Sequence, residues 1–122
     1  MRILVVEDEP ASLKLAHLVL ASGGHEVTEA EAVKQAMEEI SRSEPHVILL
    51  DLELPRIDGL TLARMLKADP GKRHIVIIAV TSFPERYSRE QALAAGCDAY
   101  LLKPIDTRKL AEQVACVVEG LK

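Results

Sequence analysis

Five short apolar segments alternate with five segments of helical character along the whole sequence. The apolar segments, which we predict to be strands, are residues 3–6, 25–28, 46–50, 75–80 and 99–102. The predicted helices are one that begins near Pro10 with Asp8 or Glu9 as its cap and ends at Gly23 and Gly24, then 32–40, 60–67 and 84–95, and a last one capped by Asp106 or Thr107. This alternation predicts a parallel sheet covered by helices on both faces. No linker, repeat or low-complexity segment interrupts it, so residues 1–122 are predicted to form one α/β domain.

The first and last predicted helices each carry an apolar face that should pack against the sheet. In the first helix this face consists of Leu13, Ala16 and Leu20 with the neighbouring Leu15, Leu18 and Val19. In the last it consists of Leu110, Val114, Val117, Val118 and Leu121. The first, third and fourth strands are apolar at nearly every position, as expected for parallel strands buried on both sides.

Composition excludes several classes of function. Fifteen Lys and Arg against 19 Asp and Glu give a net charge of −4, and aromatic residues make up only 2% of the chain, so neither a basic surface nor a base-stacking platform for nucleic acid is expected. The apolar stretch at 75–80 is too short to span a membrane. Cys97 and Cys116 show no metal-ligand spacing and no disulfide framework. We therefore expect a cytoplasmic protein that binds neither nucleic acid nor membrane.

Polar side chains follow four of the five predicted strands directly. They are Glu7 and Asp8 after the first strand, Asp51 after the third, Thr81 after the fourth, and Lys103 with Pro104 after the fifth. In open α/β sheets, ligands bind beyond the carboxyl ends of the strands. The sequence therefore predicts one site at that edge of the sheet.

The residue types at this edge suit phosphoryl chemistry. The carboxylates of Glu7, Asp8 and Asp51 would repel one another unless a cation joined them, and oxygen ligands favour a hard ion such as Mg²⁺. Aspartate can accept a phosphoryl group covalently. Phosphoryl transfer depends mainly on positioning and charge neutralisation, which a metal ion, the Lys103 ammonium and the Thr81 hydroxyl would supply.

Purely structural alternatives exist for Asp51, for the acidic run after the first strand, and for Tyr100 in the fifth predicted strand. Asp51 alone could cap a helix or form a turn. The acidic run at residues 7–9 could be a charged first turn favoured by the helix dipole, and we assign Glu9 to that role. Tyr100 could be an ordinary core residue.

Taken together, the motifs resemble those of the receiver domains of two-component response regulators. The resemblance covers essentially the whole chain. It depends on the acidic pair Glu7 and Asp8, on the segment DLELPRIDG at residues 51–59, on Thr81, and on Lys103 followed by Pro104. It implies a flavodoxin-like fold with strand order 2-1-3-4-5.

The resemblance assigns a role to each acidic residue. Asp51 would be the phosphoacceptor. Asp8 and Asp51 would bind Mg²⁺, or Mn²⁺, directly, with the backbone carbonyl of Glu53 as a third protein ligand, and Glu7 would act through a bound water. The side chain of Glu53 lies at a position that varies in the family, where we expect it to influence the lifetime of the phosphoryl group.

The remaining motif residues would bind and report the phosphoryl group. Lys103 would pair with one phosphoryl oxygen, and Thr81 would donate its hydroxyl to another. The bond between Lys103 and Pro104 is expected to be cis. Tyr100 would be a switch residue that turns inward when Thr81 moves, and Phe83 would tune phosphoryl loss.

These roles imply a signalling protein that catalyses only its own phosphorylation and slow dephosphorylation. A histidine kinase or histidine phosphotransfer protein would supply the phosphoryl group. Phosphorylation would alter the face formed by the fourth helix, fifth strand and fifth helix, which a downstream protein effector would recognise. The chain would be a monomer or a homodimer that forms on phosphorylation. Whether it acts as a single-domain regulator or as a receiver from a longer protein is left open.

Two other functions agree with parts of the pattern. An aspartyl-phosphate hydrolase of the haloacid dehalogenase type would use Asp51 and Glu53, although that class has Asp-x-Asp after an early strand and a cap for which this chain has no room. A receiver that signals without phosphorylation is the second alternative, against which the full set of Glu7, Asp8, Asp51, Thr81 and Lys103 argues.

Overall fold

A five-stranded parallel sheet forms the centre of the protein, whose computed structural model describes residues 1–120. The strands are β1 (Arg2–Val6), β2 (Glu26–Ala30), β3 (Val47–Asp51), β4 (Val76–Thr81) and β5 (Ala99–Leu102). The helices are α1 (Pro10–Ser22), α2 (Val33–Arg42), α3 (Gly59–Ala68), α4 (Arg89–Ala94) and α5 (Leu110–Gly120). The strands lie in the spatial order β2-β1-β3-β4-β5, which confirms the predicted flavodoxin-like α/β fold.

Alternate residues of the central strands enter two separate hydrophobic cores. Leu4 and Val6 of β1 pack on one face with the buried side chains of α2, α3 and α4. Ile3 and Val5 pack on the other face with those of α1 and α5. Successive strand side chains point to opposite faces, so an apolar run becomes buried on both sides. The sheet is thereby fixed between two helical layers, and the buried central strands β1, β3 and β4 carry polar groups mainly at their ends.

The start of α1 agrees with the sequence prediction, whereas the start of α4 does not. The Glu9 carboxylate accepts from the N–H groups of Ala11 and Ser12, which confirms Glu9 as the cap. The prediction of a helix from Pro84 was wrong, because α4 begins at Arg89. Ser88 caps it in a reciprocal capping box with Gln91.

Other differences concern the last helix and the outer face of the first. Residues 107–109 form a turn, and α5 begins at Leu110, later than predicted. Leu15 and Leu18 were predicted to be part of the packed face of α1, but they are 49% and 53% exposed, because the buried face of α1 is narrower than its apolar sequence. The prediction for Leu121 lies outside the described residues. None of the helices within residues 1–120 has the length and apolar character needed to cross a bilayer.

The two cysteines lie in different environments, which predicts a difference in reactivity. Cys97 is buried, and burial raises the pKa of its thiol to about 11, whereas Cys116 is exposed. Because the thiolate is the reactive form, iodoacetamide at pH 8 should modify the native protein once, at Cys116. Intact-mass measurement should show two adducts after denaturation and none in native Cys116→Ser. A native second adduct that forms as fast as the first would contradict the burial of Cys97.

Candidate functional site

Strand register brings the predicted site residues to one edge of the sheet. Val6 of β1 lies opposite Leu50 of β3, so the next residues, Glu7 and Asp51, are neighbours. Thr81 lies opposite Leu102 of β5 and accepts a backbone hydrogen bond, 2.9 Å long, from the N–H of Lys103. The carboxyl ends of four parallel strands therefore deliver these side chains to one place, at the point where the strand order reverses.

Three carboxylates form the acidic part of the site. Glu7, Asp8 and Asp51 each offer an oxygen, and these oxygens lie within 4.8 Å of one another. Glu7 and Asp51 are buried, and Asp8 is exposed. Oxygen donors at this spacing fit a hard divalent cation that keeps part of its water shell, so the residues are compatible with Mg²⁺.

Lys103 lies between the two buried carboxylates. Its Nζ donates to Glu7 Oε1 at 2.5 Å and to Asp51 Oδ2 at 3.1 Å. The side chains of Glu7 and Asp51 are only 6% and 4% exposed, and that of Lys103 is 18% exposed. Buried charges need such partners, so Lys103 stabilises the burial of both carboxylates. The bond between Lys103 and Pro104 is cis, as predicted.

The acidic and basic groups shift one another's proton affinity. Burial raises the pKa of Asp51, the neighbouring Glu7 carboxyl raises it further, and hydrogen bonding with Glu53 opposes both. Burial by itself lowers the pKa of Lys103, but its hydrogen bond to Glu7 and the charge of Asp51 outweigh burial and raise it. The ammonium form of Lys103 is therefore the stable one beside these carboxylates.

The loop after β3 is folded tightly around Asp51. The N–H of Glu53 donates to Asp51 Oδ1 at 3.0 Å, and the N–H of Gly59 donates to the carbonyl of Leu52 at 3.1 Å. Asp58 caps α3 by accepting from the N–H of Thr61. The bond from Glu53 N–H to Oδ1, together with the bond from Lys103 Nζ to Oδ2, holds the Asp51 side chain in one orientation.

Glu53 makes a second set of contacts that the sequence did not predict. Its Oε1 accepts from the Thr81 hydroxyl at 2.8 Å and from the N–H of Ser82 at 2.9 Å. Thr81 is fully buried, and its oxygen also accepts from the N–H of Phe83. Burial raises the pKa of the Glu53 carboxyl, and the nearby Asp51 carboxyl raises it further. The contacts span 28 and 29 residues of sequence and join the loop that follows β3 to the end of β4 and the residue after it.

Tyr100 is anchored to the loop between β4 and α4. Its ring is half-buried and packs against the core that contains α2, α3 and α4. Its hydroxyl donates to the main-chain oxygen of Tyr87 at 2.5 Å. Neither residue type nor spacing signalled this bond, which connects the predicted switch position to the loop that follows Thr81 at the end of β4.

The structure thus brings together most of the residues that the sequence singled out. Glu7, Asp8, Asp51 and Lys103 form one cluster, with Thr81 joined to it through Glu53. Tyr100 makes no hydrogen bond to this cluster among the described residues and is instead bonded to Tyr87, and Phe83 is 47% exposed.

Comparison with known proteins gives one consistent result. A family model described as the response regulator receiver domain matches residues 3–115. The polar-differentiation response regulator DivK of Brucella ovis is 32% identical over 112 residues, which cover 92% of this chain and 91% of DivK.

Solved structures agree with the sequence comparison. A CheY-like response regulator receiver domain protein from Methanospirillum hungatei JF-1 is 31% identical with a TM-score of 0.85, covering 97% of this chain and 94% of that one. A receiver domain described as BeF3-activated DrrB is 25% identical, also with a TM-score of 0.85, and 97% of each chain is covered.

Proposed function

Because this chain belongs to the response regulator receiver domain family, we propose that it accepts a phosphoryl group on Asp51 and passes the signal on by protein contact. The family implies a histidine kinase or histidine phosphotransfer protein as donor and a protein effector downstream. In this proposal the whole chain acts as one receiver domain. It catalyses its own phosphorylation and the slow hydrolysis that reverses it, with no other diffusible substrate.

One observation carries the proposal. Asp51 is a buried carboxylate whose two oxygens face different partners, the N–H of Glu53 on one side and the Lys103 ammonium on the other. Lys103 lies close enough to neutralise charge that develops near Asp51, and phosphoryl transfer requires such neutralisation. A capping or turn aspartate would not need a buried ammonium held between two carboxylates.

The acidic cluster of Glu7, Asp8 and Asp51 supports a metal site, and resemblance to the family assigns its ligands. Asp8 and Asp51 would bind Mg²⁺, or Mn²⁺, directly, the main-chain carbonyl of Glu53 would be a third ligand, and Glu7 would act through a water molecule. When bound, the ion supplies positive charge that neutralises phosphoryl oxygens. Glu7 also orients Lys103, because the two share a hydrogen bond.

The switch would use Thr81 and Tyr100. Thr81 would donate its hydroxyl to a phosphoryl oxygen, and Tyr100 would turn inward in response. The face formed by α4, β5 and α5 would change with them and bind the effector or a second copy of the chain. The hydrogen bond from Tyr100 to Tyr87 supports this route, because it joins the tyrosine to the loop that directly follows Thr81.

Incubation with acetyl phosphate and Mg²⁺ tests the proposal. We expect intact-mass spectrometry to show one added phosphoryl group in the wild-type chain and in Asp69→Asn, a partly exposed control on the turn after α3. Asp51→Asn should show none, because the amide cannot act as the nucleophile. Chelation with EDTA should also abolish the addition.

Three results would contradict the proposal. The first is phosphorylation of Asp51→Asn at the wild-type rate. The second is turnover of a generic phosphomonoester, which would favour a hydrolase. The third is equal affinity of an effector for the chain with and without beryllofluoride, which would favour signalling that does not depend on phosphorylation.

A further inference from the structure

The Glu53 carboxylate occupies the point at the end of β4 where two hydrogen-bond donors converge. Two donors converge on its Oε1, the Thr81 hydroxyl at 2.8 Å and the N–H of Ser82 at 2.9 Å. Within residues 1–120, the structure shows these two groups donating to Glu53 alone. A hydroxyl and an amide that point to one spot form a site for an anionic oxygen.

The other half of the same carboxylate is poorly accommodated. Glu53 Oε2 is buried and has no hydrogen-bond partner among the described residues. A carboxylate with one well-bound oxygen and one buried oxygen without a partner is held less firmly than one with both oxygens satisfied. An anion that satisfies more of its oxygens would therefore displace it.

The backbone of Glu53 does not need to move for the side chain to leave. Its N–H is bound to Asp51 Oδ1, and this bond anchors the loop beside the acceptor carboxylate. The residue is only partly buried, so rotation of the side chain can carry the carboxylate to solvent. Release of Thr81 and Ser82 is then a local rotamer change in a loop that stays in place.

We propose that the Glu53 carboxylate is an internal competitor of the phosphoryl group, which occupies the Thr81 and Ser82 donors in the unphosphorylated chain and must leave before they can bind a phosphoryl oxygen. The inference rests on the proposed function, because it takes Asp51 as the phosphoacceptor. It differs from simple charge repulsion, because the obstacle is the occupied pair of donors. The contact would hold the switch in its resting state and weaken the binding of any phosphoryl mimic.

Two substitutions distinguish occupancy from charge. Glu53→Ala removes the acceptor and the charge together. Glu53→Gln removes the charge but keeps a carbonyl oxygen that can still accept from Thr81 and Ser82. Glu85→Ala is the matched control, because Glu85 is an exposed carboxylate on the β4–α4 loop that contains Ser82.

Titration with beryllofluoride in the presence of Mg²⁺, followed by ¹H–¹⁵N NMR of the full chain, measures the competition. We expect Glu53→Ala to bind beryllofluoride about tenfold more tightly than wild type, the factor that corresponds to one net hydrogen bond to a charged acceptor. Glu85→Ala should stay within about twofold of wild type, and Glu53→Gln should bind only about threefold more tightly, because a neutral carbonyl oxygen accepts more weakly than a carboxylate. Before any beryllofluoride is added, the Ser82 amide resonance should move in Glu53→Ala and remain near its wild-type position in Glu53→Gln.

Several outcomes would overturn the inference. Unchanged or weaker binding by Glu53→Ala would show that the contact does not compete. Equal tightening in Glu53→Gln and Glu53→Ala would show that charge alone is responsible. Failure of the proposed function would look different, because beryllofluoride would then leave the resonances around Asp51 unchanged in every variant, including wild type.

Discussion

Lys103→Met should lower the free energy of unfolding by about 3 kcal/mol in metal-free buffer, because it removes one partner of a buried ion pair. Two carboxylates depend on this lysine, Glu7 through a 2.5 Å contact and Asp51 through a 3.1 Å contact. Methionine fills a similar volume but leaves both of them buried beside Asp8 without a counter-charge. Urea denaturation followed by circular dichroism measures the loss.

Magnesium provides a second measurement on the same variant. An ion that binds the three carboxylates restores positive charge, so saturating Mg²⁺ should stabilise Lys103→Met more than wild type. Lys109→Met is the control, because Lys109 is exposed and its loss should change stability by less than about 0.5 kcal/mol. A Lys103→Met protein as stable as wild type in EDTA would show that the two carboxylates do not depend on the lysine.

Gly59→Ala should be the most disruptive of the small substitutions near the site. A Cβ at position 59 would lie 2.6 Å from the main-chain oxygen of Asp51 and 2.9 Å from the Cα of Leu52. Both neighbours are backbone atoms and cannot rotate away, so the segment that carries Asp51, the proposed phosphoacceptor, must shift. We expect a loss of about 3 kcal/mol in the free energy of unfolding, the upper end for overpacking. Phosphorylation by acetyl phosphate should slow by about a hundredfold, since misplacement of a reacting group by about 1 Å has that effect.

Gly120→Ala is the matched control for this substitution. The same added methyl group would meet nothing within 4 Å at the end of α5, and alanine favours the helix. Its stability should equal or slightly exceed that of wild type. If Gly59→Ala were as stable and as readily phosphorylated as Gly120→Ala, the close approach between α3 and the Asp51 segment would not exist in solution.

Hydrophobic patterning predicted a parallel α/β sheet and the edge at which the site lies, whereas the order of the strands came from resemblance to the family. Strands buried on both faces have continuous apolar runs, so their ends are marked by the first polar residue, and Asp51 and Thr81 occupy those positions. The beginning of α4 was predicted too early because Pro84 favours a helix start. The stronger signal was the pair Ser88 and Gln91, which form a capping box with the spacing that such boxes require.

The contacts of Glu53 could not have been predicted in the same way. They depend on which rotamer a side chain adopts in one loop and on where another loop lies, 28 residues further along the chain. Periodicity carries no information about either. Likewise, the exposure of Leu15 and Leu18 follows from how much of α1 the sheet and α5 cover, which is a property of the packed molecule.

The segment from Ser82 to Ser88 is held by hydrogen bonds near both of its ends. Besides the packing of Tyr87 into the core, two hydrogen bonds with side chains elsewhere hold it, from Ser82 N–H to Glu53 and from the Tyr100 hydroxyl to the carbonyl of Tyr87. Loss of the hydrogen bond at one end would increase the conformational entropy of the segment. The bond at the other end would then restrict more conformational freedom and contribute less net stability. The bonds made by Glu53 and Tyr100 would thus be energetically coupled through the segment between Ser82 and Tyr87, although the two side chains make no hydrogen bond to each other.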